Sequence, residues 1–289
     1  MKNGNFENTW SRIKLIILRV VVYAILIFLC VLCLFFFYLM IINATRSNAQ
    51  LNTGFSLLPK ENFFKNLVNA WNDASINIPR GMLNSLFIAL TSAVLTTYFS
   101  ALTAYAIHAY DFKGKRLVFT FILAIMMIPA QVSALGFVQM MTRLGLTNSY
   151  IPLIIPSIAA PVVFFYMKQY MESVLPLDLV AAARVDGSGE FRTFNTIVLP
   201  LMKPAIAVQM IFSFVSSWNN YFVPALLLDK AEMKTVPIMI AQLRSADYSK
   251  FDMGKVYMFI LLAILPVMIT YIFLSKAIIK GVTAGSVKG

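Results

Sequence analysis

The fold class this sequence predicts is all-α, a polytopic membrane protein with six transmembrane helices. Three observations lead there. Hydrophobic residues make up 60% of the 289 positions and charged residues only 12%, about half the charged share of soluble domains. A globule of this size needs a polar exterior, so lipid must be the solvent for much of the surface. The apolar residues also fall into long charge-free windows, and the basic residues lie between these windows or at their ends.

The first window, Val20 to Ile42, contains no charge, Gly or Pro. At about 1.5 Å per residue it reaches about 34 Å, enough for a hydrocarbon core of about 30 Å. Lys2, Arg12, Lys14 and Arg19 precede it, and no small-residue cleavage site follows. It therefore reads as an uncleaved first span. Residues 43–80 are mixed and polar and read as an external loop. Five further windows can each span: Gly81–Tyr110, Leu117–Thr142, Leu144–Met167, Pro204–Leu228 and Val256–Ser275. This gives an N-terminal segment (1–80), a core of five spans (81–280) and a tail (281–289). Prolines 129, 152, 156, 161, 224 and 266 lie within the last four spans. Each frees a carbonyl and bends its helix, which suits helices around a path and also ordinary membrane-helix curvature.

The short basic loop Asp111-Phe112-Lys113-Gly114-Lys115-Arg116 reads as cytoplasmic. Both termini and the loop 172–203 then lie inside, in a multi-pass protein. The net charge of +12 is explained by basic helix ends. No dense basic stripe or nucleic-acid motif accompanies it, so nucleic acid is not an expected partner. Cys30 and Cys33 lie in an apolar run without His or a second Cys pair, and His108 has no ligand partner, so no metal site is expected. No G-x-x-x-x-G-K-[ST] occurs, so the chain has no Walker A loop, is not expected to be an enzyme and binds no cofactor by this reading.

The most informative segment is Leu175–Pro204, LPLDLVAAARVDGSGEFRTFNTIVLPLMKP. Pro176 can open a helix, Asp178 suits its positive end, and Ala181, Ala182 and Ala183 favour it. Gly187-Ser188-Gly189 breaks it, and Glu190–Val198 can form a second short helix before Leu199-Pro200. Helices this short are marginal alone in water. They read as a plug for a partner's groove or as an amphipathic loop on the headgroups.

This segment resembles the EAA loop of ABC-transporter permease subunits, patterned as EAA, three residues, G, nine residues, I-x-L-P. Ala181-Ala182-Ala183, Gly187 and Ile197-Val198-Leu199-Pro200 fit with those intervals. Ala181 departs from the usual Glu. Over about residues 80–289 the likeness extends to Leu83-Asn84-Ser85-Leu86, Met127-Ile128-Pro129-Ala130-Gln131, Leu144-Gly145-Leu146-Thr147-Asn148, Ser217-Trp218-Asn219-Asn220 and the tail from Gly281. The branch it resembles is the second permease of maltose-type, binding-protein-dependent sugar importers.

That resemblance implies the type I ABC importer permease fold, in a bacterial plasma (inner) membrane. It also implies a related second permease, a cytoplasmic ATPase dimer that holds ATP and Mg, and an extracytoplasmic sugar-binding protein. It places the ATPase contact at Asp178, Ala181, Ala182, Ala183, Arg184, Asp186, Gly187, Ile197, Leu199 and Pro200. Candidate residues for a sugar path are Trp218, Asn219, Asn220, Tyr221 and Gln131, since hydroxyls need donors and acceptors and aromatic rings suit pyranose faces. Gln139 and Gln209 are weaker candidates. The same polar–aromatic cluster could instead form an interfacial belt with helix–helix hydrogen bonds. The rival functions are an ABC permease for another small solute, an ion-coupled secondary transporter and an uncoupled channel. Ion coupling usually needs a buried acid, and no window has one.

Overall fold

The computed structural model describes residues 3–73, 75–245 and 252–286, and every regular element among them is helical. The chain forms two compact units, residues 1–70 with 247–261 and residues 71–246 with 262–289. The division thus falls about ten residues before the expected boundary, and the start of the last helix goes with the N-terminal unit.

In the first unit α1 (Asn3–Ala44) covers the expected first span and extends it towards the N-terminus. Its apolar side chains from Ile13 to Phe36 are exposed, as a lipid-facing helix requires. The short α2 (Asn48–Asn52) starts at a capping box between Ser47 and Gln50. Buried Arg46 donates to the carbonyls of Gln50 and Gly54 and to Asn43 Oδ1, which folds the loop around its guanidinium. In α3 (Phe63–Trp71), buried Asn66 donates to the carbonyls of Ala44 (2.8 Å) and Arg46 (2.9 Å).

The second unit is organised on α4 (Ile78–Ala109), which packs along two later helices, α8 (Pro161–Val174) and α12 (Lys203–Trp218). Its buried face is mostly small: Ser85, Ala89, Ser92, Ala93, Thr96, Thr97, Ser100, Ala101 and Ala104. Small residues let helix backbones approach closely where lipid removes the usual hydrophobic drive for association. α5 (Lys115–Ile125) and α6 (Ala130–Arg143) together cover the expected third span, but they are two helices. The break lies at Pro129, which lacks an N–H and disfavours helix in the residue before it.

The expected fourth span is displaced. Gly145 (φ 70°) and Asn148 (φ 53°) turn the chain, and the apolar helical run is Ile151–Val174. It consists of α7 (Ile151–Ile154), a 3₁₀ turn (Ile155–Ile158) and α8 (Pro161–Val174). Next come α9 (Leu177–Val185), α10 (Glu190–Thr193), a π turn (Phe194–Val198) and α11 (Leu199–Leu201). The chain then bends by 83° at Met202 into α12 (Lys203–Trp218). α12 stops ten residues short of the expected fifth span, and a separate α13 (Phe222–Leu227) follows a turn. α14 (Val236–Ser245) and α15 (Met253–Ser286) complete the fold. Residues 281–286 of the expected tail continue α15 as helix, and 287–289 lie outside the described residues.

Among the described residues four helical runs are long and apolar enough to cross a membrane: Ile13–Ala44, Ile78–Ala109, Ile151–Val174 and Met253–Phe273. The bent pair 190–201 and 203–218 makes a fifth when counted as one span. The expected third span does not qualify by itself because Pro129 cuts it into two short helices.

Candidate functional site

The loop after α8 is a built structure. Pro176 caps α9, Asp178 lies in its first turn and Arg184 in its last, each charge matched to the helix dipole. Gly187 has φ 76°, and an added Cβ there would meet nothing within 4 Å. Its N–H bonds the Arg184 carbonyl and the Ser188 N–H bonds the Ala183 carbonyl (3.0 and 2.9 Å). This Schellman pairing needs a left-handed residue, which is why glycine suits the position.

One side of the loop is anchored. Val180, Ala183, Phe194 and Val198 are buried, with Phe194 at 0% exposure and its ring centroid 5.6 Å from that of Tyr98 and 5.7 Å from that of Tyr105. Tyr98 Oη donates to Asn195 Oδ1 (3.2 Å), Tyr105 Oη donates to Glu190 Oε2 (2.8 Å), and His108 Nε2 bonds the Leu175 carbonyl (3.0 Å). Arg184 Nε donates to Glu190 Oε1 at 2.6 Å, and its guanidinium lies 5.3 Å from the Tyr110 ring centre. The Arg184 hydrogen bond above all, with help from Tyr110 and Tyr105, lowers the Glu190 carboxyl to about 2. Burial, together with the Glu190 carboxylate, raises the Tyr110 phenol.

The other side is free. Leu177, Asp178, Ala181, Ala182, Arg184, Val185, Asp186, Gly187, Phe191 and Pro200 are exposed, with Val185 at 87% and Phe191 at 69%. Ile197 and Leu199 are half-buried. The residues predicted from sequence thus divide, with Ala183 facing the chain and most of the others facing outward. Glu190 was missed; its one signal was its place at the start of the second short helix, six residues after Arg184.

A second feature is a cavity of about 970 Å³ between α4, the Ile151–Val174 run and α12. Its polar lining comprises Ser92, Thr96, Ser157, Tyr166, Gln209, Ser213, Ser216, Ser217 and Asn220, with no Asp, Glu, Lys, Arg or His. Of the residues predicted for a path, Asn220 and the weaker candidate Gln209 line it, and Gln139 does not. Trp218 is 3% exposed, stacks on Phe214 (5.8 Å) and donates its indole N–H to the Ala263 carbonyl (3.2 Å). It is a packing residue here and does not reach the cavity. Asn219, Tyr221 and Gln131 are exposed and do not line it. The serines were missed because nothing in the sequence separates them from other hydroxyls on apolar helices.

Residues 94–282 match the family described as "Binding-protein-dependent transport system inner membrane component". The chain is 38% identical over 258 residues to the arabinooligosaccharides transport system permease protein AraQ of Bacillus subtilis (strain 168), covering 88% of this chain and 89% of that protein. It is 30% identical over 266 residues to the trehalose/maltose transport system permease protein MalG of Thermococcus litoralis, covering 91% and 94%. Among solved structures, a chain of a bacterial ABC transporter involved in the import of the acidic polysaccharide alginate superposes with a TM-score of 0.79. That match covers 90% of this chain and 96% of the other at 22% identity, and it bears on the fold alone.

Proposed function

The chain belongs to the binding-protein-dependent transport system inner membrane component family, and on that footing we propose that it is one permease of an ATP-driven importer for a sugar or oligosaccharide. The relatives named for arabinooligosaccharides and for trehalose and maltose support the substrate class. In this reading the chain crosses the membrane six times, with the α5–α6 pair as the third crossing and both termini in the cytoplasm. A related second permease, a separate ATPase dimer holding ATP and Mg, and an extracytoplasmic sugar-binding protein complete the assembly.

The observation that carries the reading is the two-sided loop. Its exposed side (Val185, Gly187 and Phe191 among others) is the surface for the ATPase. Its buried side is fastened to α4 by Phe194, Glu190 and Asn195. A push on the exposed side therefore reaches a membrane helix without passing through a slack linker. Both ends of such a cycle must lie within a few kcal/mol for nucleotide and ligand to switch them.

The test is ATP hydrolysis by the reconstituted complex with the binding protein and a panel of sugars. Stimulation by one sugar, lost in Gly187→Trp while the permease stays inserted, is the expected result. ATPase activity indifferent to every sugar and to Gly187→Trp would refute the proposal.

A further inference from the structure

We infer that α12 carries a saccharide subsite of its own, built to accept uncharged sugars. The inference rests on the importer reading and names what one wall of the cavity does within it. Gln209, Ser213, Ser216, Ser217 and Asn220 follow each other at helical spacing, so they form one row along α12 and the turn after it. Gln209 is 8% exposed and lines the cavity, yet its carboxamide has no hydrogen-bond partner among the described residues. The Ser213 hydroxyl is buried, also without a partner. The other three side chains are equally uncommitted among the described residues.

The opposite wall behaves differently. Thr96 donates to the Ser157 carbonyl (2.7 Å), Ser157 to the Ile154 carbonyl (2.6 Å) and Ser92 to the Leu153 carbonyl (3.4 Å). Those hydroxyls are used up in holding two elements together. The α12 row has its donors and acceptors free, in a helix the importer reading places inside the bilayer. Polar groups in that setting are costly unless water or a ligand completes them. Each of the five can both donate and accept, which matches a sugar hydroxyl. A carboxylate or phosphate entering the same cavity would lose its hydration and find no cation among the lining residues.

The experiment uses the complete complex in liposomes and follows both ATP hydrolysis and sugar import, with arabinotriose, maltotriose and raffinose as probes. In Gln209→Leu/Ser217→Ala, sugar-loaded binding protein is expected to stimulate ATP hydrolysis to within about twofold of wild type. Import per ATP is expected to fall about tenfold, the scale of two lost neutral hydrogen bonds. Ser217→Ala alone should show about a threefold fall, which keeps the test decisive if the double variant does not assemble, and Ser217→Thr should restore import. A structural role would lower hydrolysis and import together, and that outcome, or unchanged import per ATP, would overturn the subsite. Failure of every sugar to stimulate the wild-type complex would overturn the importer reading, and the subsite with it. In saturation-transfer measurements on the complex in nanodiscs, trigalacturonate should bind only to Gln209→Lys. Binding of trigalacturonate to wild type as strongly as arabinotriose would overturn the selectivity for uncharged sugars.

Discussion

Removing the Glu190 carboxylate should loosen the loop from α4, and the size of the effect can be worked from its partners. Arg184 and Glu190 have side chains about two-fifths exposed (41% and 39%), so their ion pair is screened by water and adds little. Tyr105 is different, because it is 2% exposed and its hydroxyl donates to Glu190 Oε2. In Glu190→Ala that buried hydroxyl loses its acceptor, which costs about 1–3 kcal/mol. Together the loss is about 2 kcal/mol, or a roughly 30-fold larger locally open population. Hydrogen exchange of residues 177–198 in nanodiscs measures it. In a Tyr105→Phe background the same substitution should cost only the ion pair, leaving an interaction energy of about 1 kcal/mol or more in the double-mutant cycle. The pH response has a definite sign. A carboxyl lowered from 4.5 to about 2 lends stability above its ordinary value and loses it as pH falls towards 2. Intrinsic-rate-corrected exchange should therefore stay constant from pH 8 to 5. Exchange unaltered by Glu190→Ala, or strictly additive effects with Tyr105→Phe, would refute the clamp.

Gly187→Val should destabilise the loop by about 1–2 kcal/mol through its left-handed backbone alone, since no atom stands where the Cβ would go. Gly187→Asn should be tolerated, and hydrogen exchange of the same segment separates the two. Phe191→Asp, at a position 69% exposed, should leave thermal stability within about 0.5 kcal/mol. It should abolish co-purification of the ATPase in detergent, and retention of the ATPase would remove Phe191 from the contact. Trp218→Ala should cost about 3–5 kcal/mol because a stacked, buried indole and its bond to the Ala263 carbonyl both disappear. The amount of inserted protein should fall while import per inserted complex holds. A selective loss of import would return Trp218 to the path.

The loop was legible because its information is local. Pro176, the alanine run and Gly187 act within a few residues of themselves, and the structure places the helix, its Schellman stop and the second helix where they were expected. The count of long spans was less legible, because an apolar window records hydropathy and not continuity. Pro129 could bend a helix or end one, and here it ends one. The cavity was hidden for a different reason. Thr97 and Thr103 spend their hydroxyls on carbonyls four residues back, at 2.8 Å each, while Ser213 and Ser217 on α12 do not. Back-bonded and uncommitted hydroxyls look alike in a sequence. Trp218 stood between path and packing on the same ground, since only the tertiary packing decides that its ring faces inward.

In the proposed importer the two features are mechanically one, and α4 is the reason. From Gly81 to Ala109 it contains no glycine or proline after the first position, so it has none of the usual sites at which helices kink. Its C-terminal half holds the loop through Tyr98, Tyr105 and His108. Within two turns of Tyr98, Ser92 and Thr96 hold the carbonyls of Leu153 and Ser157 on the cavity wall. Its far end holds the carbonyls of Glu232 and Lys234 through Asn84. A displacement of the loop cannot be absorbed at Phe194, because close-packed interiors resist deformation and that ring is fully enclosed. It must pass along α4 to the first partner that can yield. The 3₁₀ turn Ile155–Ile158 is that partner: its hydrogen bonds are the poorer kind, Pro156 has removed one donor, and Thr96 is fastened to its Ser157 carbonyl. In the proposed transport cycle the cavity therefore changes shape from the wall that α4 holds, while the uncommitted row on α12 faces it.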